Sequence, residues 1–177
     1  MRMNSLRLLS CLPLLLTATA SFAAAPLLKV TKTVTIDAPA DQVWAKCGDF
    51  DALDRWHPAV SKDTLTKGKN NVPGAVRHLD IKGGGYVNEE LLHYSGKGHS
   101  YSYKIIDSVL PVSDYHSTLR VTAAGAGKSM VTWTGSFKRK DPGPNPPDNA
   151  NDKAATDAIS GVYQSGLDSL KQSLEAK

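Results

Sequence analysis

The sequence predicts an α+β protein in which a curved antiparallel β-sheet of about seven strands wraps around one long C-terminal helix, with two short helices after the first strand. Three observations support this prediction. An alternating, β-branched segment comes first, six strand-like segments follow with no helix between them, and the last segment has helical periodicity. Strands joined only by turns pair antiparallel, so the six segments form a meander. A sheet that curls around one helix is expected to leave space between the two.

The first elements are indicated by periodicity and by two prolines. Residues Leu28–Asp37 alternate and are rich in Val, Ile and Thr, which is typical of a strand. Pro39 suits the first turn of a helix, and Gly48 marks its end. Residues 49–57 are expected to form a second short helix before Pro58 redirects the chain.

The middle of the chain contains six strand-like segments separated by turns rich in glycine and asparagine. Their predicted bounds are Val60–Thr66, Ala75–Lys82, Tyr86–Tyr94, Ser100–Ser108, Tyr115–Ala123 and Ser129–Lys138. Four prolines in residues 141–152 exclude regular structure, so this interval is predicted to be a surface loop. A helix of about 25 residues follows, because apolar residues recur there at three- and four-residue spacing.

Residues 1–23 have the features of a cleaved signal peptide. Arg2 and Arg7 supply positive charge near the start, and residues 6–20 are mainly apolar. This apolar segment is shorter than a membrane-spanning helix and is followed by small residues. We therefore expect a secreted, periplasmic protein with no membrane span and one domain, residues 24–177. A competing interpretation is a lipoprotein site at Cys11, which would be acylated and would retain the protein at a membrane.

Composition and motif spacing argue against several function classes. Without Arg2 and Arg7 the formal net charge falls from +4 to +2, so no nucleic-acid partner is expected. Outside the leader Cys47 has no second cysteine with which to form a disulfide. The histidines lack metal-site spacing, the segment Gly125–Ser129 lacks the first glycine of a phosphate-binding loop, and no Gly-x-Ser-x-Gly motif occurs. The sequence therefore predicts no metal and no cofactor.

Strand alternation assigns one face of each strand to the interior, where polar side chains are informative because an unpaired buried charge is costly. Arg77 and Glu89 are expected to pair, either as a structural ion pair or as a group that orients a ligand. The tyrosine and serine hydroxyls either pack in the core or meet a polar group of the ligand. The predicted ligand-binding residues are Trp56, His57, Arg77, Leu79, Glu89, Leu91, His93, Tyr101, Tyr103, Tyr115, Ser117, Trp133, Ile159 and Val162.

The chain resembles the START-like (SRPBCC) helix-grip superfamily, which includes the polyketide cyclase/dehydrase group and the birch-pollen-allergen fold. The resemblance covers Lys29–Leu174 and is carried by VTIDAPADQVWAKCGDFDALDRWHPAV, PGAVRHLDIKGGGYVNEELLHY, YSYKI and VTWTGSF. The proline-rich loop and the ending GVYQSGLDSLKQSL are similar to the MxaD-type branch, periplasmic proteins associated with methanol oxidation by a quinoprotein dehydrogenase. The resemblance implies a helix-capped cavity, with residues 56–58 and 83–85 at its mouth.

Three functions are compatible with these features. The first is a non-enzymatic periplasmic protein that holds a small hydrophobic or amphipathic ligand, as an accessory to a periplasmic dehydrogenase or cytochrome. The second is a cyclase- or dehydratase-like enzyme in which Glu89 and His93, or Glu89 and a tyrosine, transfer protons. The third is a protein-interaction module that acts through the loop at residues 141–152.

Overall fold

The predicted α+β helix-grip architecture is confirmed by the computed structural model, which describes residues 25–176. The predicted signal peptide, residues 1–23, lies outside the described residues, as does residue 24 of the predicted domain. The elements are β1 (Leu28–Ile36), α1 (Ala40–Cys47), a 3-10 turn (Leu53–Arg55), β2 (Val60–Lys67), β3 (Val76–Ile81), β4 (Tyr86–Ser95), β5 (Ser100–Ser108), β6 (Val112–Ala123), β7 (Ser129–Arg139) and α2 (Asp152–Glu175).

The seven strands form one antiparallel sheet in the order β1-β7-β6-β5-β4-β3-β2. The N-terminal strand therefore pairs with the last one, and the meander β2 to β7 makes up the rest of the sheet. The concave face packs against α2, and α1 and the 3-10 turn cover its ends. Buried apolar side chains from the sheet and from both helices form one continuous core. None of the helices in residues 25–176 is long and apolar enough to cross a membrane.

Helix α2 begins where the proline-rich loop ends. The Asn151 side chain accepts a hydrogen bond from the Ala154 N–H at 2.9 Å, which caps the helix, and Asp152 in the first turn favours the positive end of the helix dipole. Arg139, at the end of β7, is mostly buried and binds Asp152 at 2.8 Å and the carbonyl oxygens of Asp141 and Gly143. These bonds tie both ends of the loop to the sheet.

Most predicted strand bounds agree with the observed ones to within one residue, and two elements differ by more. The second predicted short helix is a single 3-10 turn, Leu53–Arg55. Strand β6 begins at Val112 rather than Tyr115, because Val112 and Ser113 pair with Arg139 and Lys138 of β7. Tertiary pairing extends this strand beyond its own alternating pattern.

Strands β4 and β5 contain irregularities that matter for the interior. The pairing of β4 with β5 shifts between Leu91 and His93, so one extra residue of β4 bulges out of the ladder. The ladder between β5 and β6 stops at Lys104 and His116. Beyond that point the two strands diverge, and a solvent-open notch of about 390 Å³ lies between them on the outer face.

Candidate ligand-binding cavity

A partly open cavity of about 90 Å³ lies between the concave face of the sheet and α2. Its wall is almost entirely apolar. The residues that line it are Leu53, His57, Ala59, Val60, Leu79, Ile81, Val87, Glu89, Tyr103, Ile105, Val109, Leu110, Tyr115, Trp133, Ile159 and Val162. The expected space between sheet and helix is therefore present.

The cavity is small for a binding site. Pockets for drug-sized ligands span roughly 300–1,000 Å³, whereas one water needs only about 10–15 Å³. A volume of about 90 Å³ therefore suits a compact molecule with few heavy atoms. A longer ligand requires side chains at the mouth to move.

The mouth is formed by the loop between β5 and β6 and by the middle of α2. Val109 is 53 % exposed and lines the cavity, and Val162 of α2 is half-buried on the same wall. Val109 also packs on Gly85, where an added Cβ would meet its Cγ1 at 2.8 Å. Gly85 has a φ of +91°, so both this close contact and the backbone conformation favour glycine in the β3–β4 hairpin.

His57 joins the segment before β2 to the C-terminal helix. Its Nε2 donates to the Val162 carbonyl oxygen at 3.0 Å, and its Nδ1 accepts from the Ala59 N–H at 3.2 Å. These bonds suit the neutral Nε2–H tautomer, and burial lowers the pKa of His57, although the bond to Val162 opposes this effect. Gly166 makes the approach feasible, since a Cβ there would meet the His57 Cδ2 at 2.6 Å.

Trp56, next to His57, has a different position. It is 4 % exposed and packs against Trp133, with ring centroids 5.7 Å apart, but it does not line the cavity. Its indole N–H has no hydrogen-bond partner among the described residues. Trp56 and His57 therefore pack side by side near the mouth, and of the two only His57 lines the cavity.

Arg77 and Glu89 form the predicted pair, directly opposite each other on β3 and β4. Arg77 Nε and Nη2 both donate to Glu89 Oε2, at 2.8 and 2.6 Å, and the guanidinium lies over the Phe50 ring at 4.2 Å from its centroid. Arg77 Nη1 donates to the Phe50 carbonyl oxygen. Burial raises the pKa of Glu89, and the charge and hydrogen bonds of Arg77 oppose this effect. The expected ion pair is thus confirmed.

Asp63 is a third charged member of this group. Its Oδ2 lies 3.5 Å from Arg77 Nη1 and accepts a 3.0 Å bond from the Leu53 N–H, while its Oδ1 has no partner among the described residues. Two carboxyl groups thus face one guanidinium in a buried place. Burial raises the pKa of Asp63 to about 6, and Arg77 only partly offsets this effect.

The hydroxyl groups of the interior bind one another. Tyr163 of α2 lies 2.5 Å from the Tyr115 hydroxyl and 2.8 Å from the Ser117 hydroxyl. The Trp133 indole N–H donates to Tyr103 at 3.0 Å and to Ser117 at 3.1 Å. Trp133 also stacks on Tyr163, with centroids 4.5 Å apart and planes 10° apart. Burial raises the pKa of the three tyrosines, so all three hydroxyls are neutral at neutral pH.

The predicted ligand-binding residues fall into two groups. Those on the cavity wall are His57, Leu79, Glu89, Tyr103, Tyr115, Trp133, Ile159 and Val162. Those that do not line it are Trp56, Arg77, Leu91, His93, Tyr101 and Ser117. Arg77 and Ser117 lie behind wall residues, whereas Leu91 and Tyr101 belong to the core on the side of α1.

The predicted inward position of His93 is wrong. The bulge between Leu91 and His93 reverses the alternation, so His93 is exposed on the outer face and Tyr94 takes the inward position, 5.8 Å from Trp44. His93 therefore does not meet Glu89 at the cavity, so the Glu89–His93 form of the enzymatic hypothesis is not assembled, whereas Glu89 and Tyr103 both line the wall.

The sequence pattern did not single out three buried residues that contact or support the wall without lining the cavity themselves. Tyr163 and Gly166 lie on the buried face of α2, at positions that the helical spacing of Ile159 and Leu167 could have included. Asp63 lies on the irregular edge strand β2, where no alternation distinguishes it from an exposed aspartate. Within residues 25–176 no group of three His, Cys, Asp or Glu side chains is arranged to hold a metal ion.

Solved structures with the same fold include three from bacteria. XoxI from Bacillus cereus is 30 % identical, with a TM-score of 0.74 over 84 % of this chain and 96 % of that one. A protein from Bacillus thuringiensis is also 30 % identical, with a TM-score of 0.71 over 83 % and 98 %. The ZhuI aromatase/cyclase from Streptomyces sp. R1128 is 16 % identical, with a TM-score of 0.67 over 85 % and 94 %, and shares the fold. Residues 28–175 match the model of one family, so the chain belongs to the polyketide cyclase / dehydrase and lipid transport family.

Proposed function

We propose that this protein binds a small hydrophobic or amphipathic molecule in its internal cavity without converting it. The observation that carries the proposal is the partly open, almost wholly apolar cavity between the sheet and α2. Apolar walls favour apolar ligands because binding removes hydrocarbon surface from water. The description of the family includes lipid transport, which is consistent with this role.

The polar groups of the interior favour binding over catalysis. Proton-transfer chemistry needs two groups that converge on one reacting position. Glu89 is held by two bonds from Arg77, and His93 is on the outer face. The tyrosine hydroxyls have raised pKa values and bind one another, which makes them poor bases at neutral pH.

The binding proposal is tested with methyl-labelled protein and xenon or benzene as probes. We expect NMR shifts on the methyl groups of Leu79, Val87 and Ile159, which line the cavity. In the variant Val162→Phe the new ring fills the mouth, and the loss of roughly 60 Å² of apolar contact at about 25 cal/mol per Å² weakens binding about tenfold.

The matched control is Val72→Phe, because Val72 is 49 % exposed and does not line the cavity. It should bind the probes as the original protein does. Shifts spread evenly over surface methyl groups, or equal binding by both variants, would contradict the proposal.

The cellular context of the proposal rests on the sequence. The leader-like residues 1–23 and the resemblance to MxaD-type proteins support a periplasmic location and an accessory role for a quinoprotein dehydrogenase or its cytochrome. Cell fractionation tests the location, and co-purification of a tagged chain from periplasmic extract tests the partner. Recovery of the protein only in the cytoplasmic fraction would refute this part of the proposal while leaving the cavity binding intact.

A further inference from the structure

One carboxylate oxygen in the cavity wall is available to a ligand. Both bonds from Arg77 go to Glu89 Oε2, and no described residue binds Glu89 Oε1. The residue is 5 % exposed and lines the cavity. Unlike Asp63 Oδ1 and the Tyr101 hydroxyl, which are fully enclosed without a partner, Oε1 keeps accessible surface. Because Glu89 lies on the cavity wall, that surface faces the cavity.

The other polar groups of the described wall are already satisfied by the protein. Both ring nitrogens of His57 are bonded, to Val162 and to the Ala59 N–H. The Trp133 N–H and the Tyr115 hydroxyl belong to the hydroxyl network, and so does the Tyr103 hydroxyl, which accepts from Trp133 and lies 3.5 Å from the Tyr115 hydroxyl. The apolar wall therefore offers a ligand one carboxylate acceptor that has no competing partner, and its position is fixed by the two charge-assisted bonds from Arg77 to Oε2.

We infer that the preferred ligand is a small neutral alcohol or phenol whose hydroxyl donates to Glu89 Oε1 while its hydrocarbon part fills the cavity. This inference rests on the proposed binding function and names its ligand class. An ether or ketone of the same size brings only acceptor oxygens, which face the carboxylate without a bond. A carboxylate ligand is repelled by Glu89, since no described cation besides the already bonded Arg77 adjoins that oxygen.

The test on the original protein uses two isomers, of which only one has a hydroxyl donor. 1-Butanol and diethyl ether have the same atoms, and their binding is followed by the same methyl NMR shifts. Because a hydrogen bond to a charged acceptor is strong and a buried acceptor left unpaired is costly, we expect the alcohol to bind at least about tenfold more tightly. Equal binding of the two isomers overturns the inference but leaves the cavity-binding function standing. Failure of both isomers, and of xenon, to bind refutes the proposed function itself.

The variant Glu89→Gln gives a sharper test, because it should abolish the preference for the alcohol. Arg77 has only donors, so the glutamine must turn its carbonyl oxygen to the guanidinium and its NH₂ group to the cavity. The wall then presents a donor, from which the oxygens of 1-butanol, diethyl ether and butanone can all accept. Because the O–H of the alcohol is now without its acceptor, 1-butanol should bind no more tightly than diethyl ether or butanone.

The matched control is Glu90→Gln on the same strand, because Glu90 faces outward and pairs with Lys104 at 3.0 Å. This variant should keep the preference for the alcohol. An unchanged preference in folded Glu89→Gln protein overturns the inference, as does a preference of the original protein for the ether or butanone. If Glu89→Gln does not fold, the comparison of isomers on the original protein still decides.

Discussion

The buried group of Asp63, Arg77 and Glu89 predicts an unusual dependence of stability on pH. The Asp63 side chain is fully buried, and its pKa is about 6 in the folded protein against an ordinary value of 3.8. A folded-state pKa above the unfolded one means that the folded protein binds the proton more tightly. The contribution of Asp63 to the free energy of unfolding is therefore fully present below pH 3.8, and it is lost as the pH rises through 6.

The magnitude follows from the two pKa values. At about 1.4 kcal/mol per pH unit, the interval from 3.8 to about 6 corresponds to about 3 kcal/mol at most, of which about 2 kcal/mol falls between pH 4.5 and 7.5. The substitution Asp63→Asn removes the titration while keeping an oxygen to accept the Leu53 N–H bond. Its NH₂ group takes the place of the unpartnered Oδ1, so we also expect a difference in the free energy of unfolding that is the same at every pH.

The assay is urea unfolding followed by tryptophan fluorescence at pH values from 4.5 to 7.5. We expect the free energy of unfolding of Asp63→Asn to rise relative to that of the original protein by about 2 kcal/mol across this range. The exposed Asp148→Asn is the control and should run parallel to the original protein. If the free energy of unfolding of Asp63→Asn also runs parallel to that of the original protein, the assignment of this titration to Asp63 is refuted. If Glu89→Gln instead removes the pH dependence, the proton is on Glu89.

Two further predictions concern α2. Gly166→Ala should destabilise the protein by about 1–3 kcal/mol, because the new Cβ meets His57 and Trp133. Gly161→Ala, whose new Cβ has nothing within 4 Å, should stabilise it by about 0.5–1 kcal/mol. Thermal unfolding compares the two variants, and an equal effect of both would contradict the packing of His57 on the helix. Tyr163→Phe removes the hydroxyl that binds Tyr115 and Ser117, so it should lower the free energy of unfolding in urea by about 1–3 kcal/mol. Surface substitutions typically change this free energy by up to ~0.5 kcal/mol, so a smaller loss than that would show that water replaces these bonds.

The alternation of the strands was sufficient to place much of the interior. Leu79, Glu89 and Tyr103 face inward as parity predicts. Glu89 does so because β4 pairs regularly with β3 there, although its pairing with β5 shifts beside it. The pair of Arg77 and Glu89 could be predicted because a buried charge needs a partner on a neighbouring strand.

Other features depend on three-dimensional relations that no local pattern encodes. The bulge before His93 inserts one residue into the pairing of β4 with β5, and it reverses the inward and outward positions in the rest of β4. The burial of Asp63 depends on the 3-10 turn folding back over β2. The volume of the cavity depends on how Trp133 and Tyr163 stack, which no periodicity specifies.

The contact between His57 and Val162 has a consequence for the rate of folding. It joins residues 105 positions apart, and the hydrogen bond between Thr31 and Thr134 spans 103. Chains dominated by such distant contacts must close large loops before they gain much stabilisation, and they fold over roughly milliseconds to seconds. We therefore expect a slow refolding phase that is accelerated when the two distant segments are held together by a covalent tether.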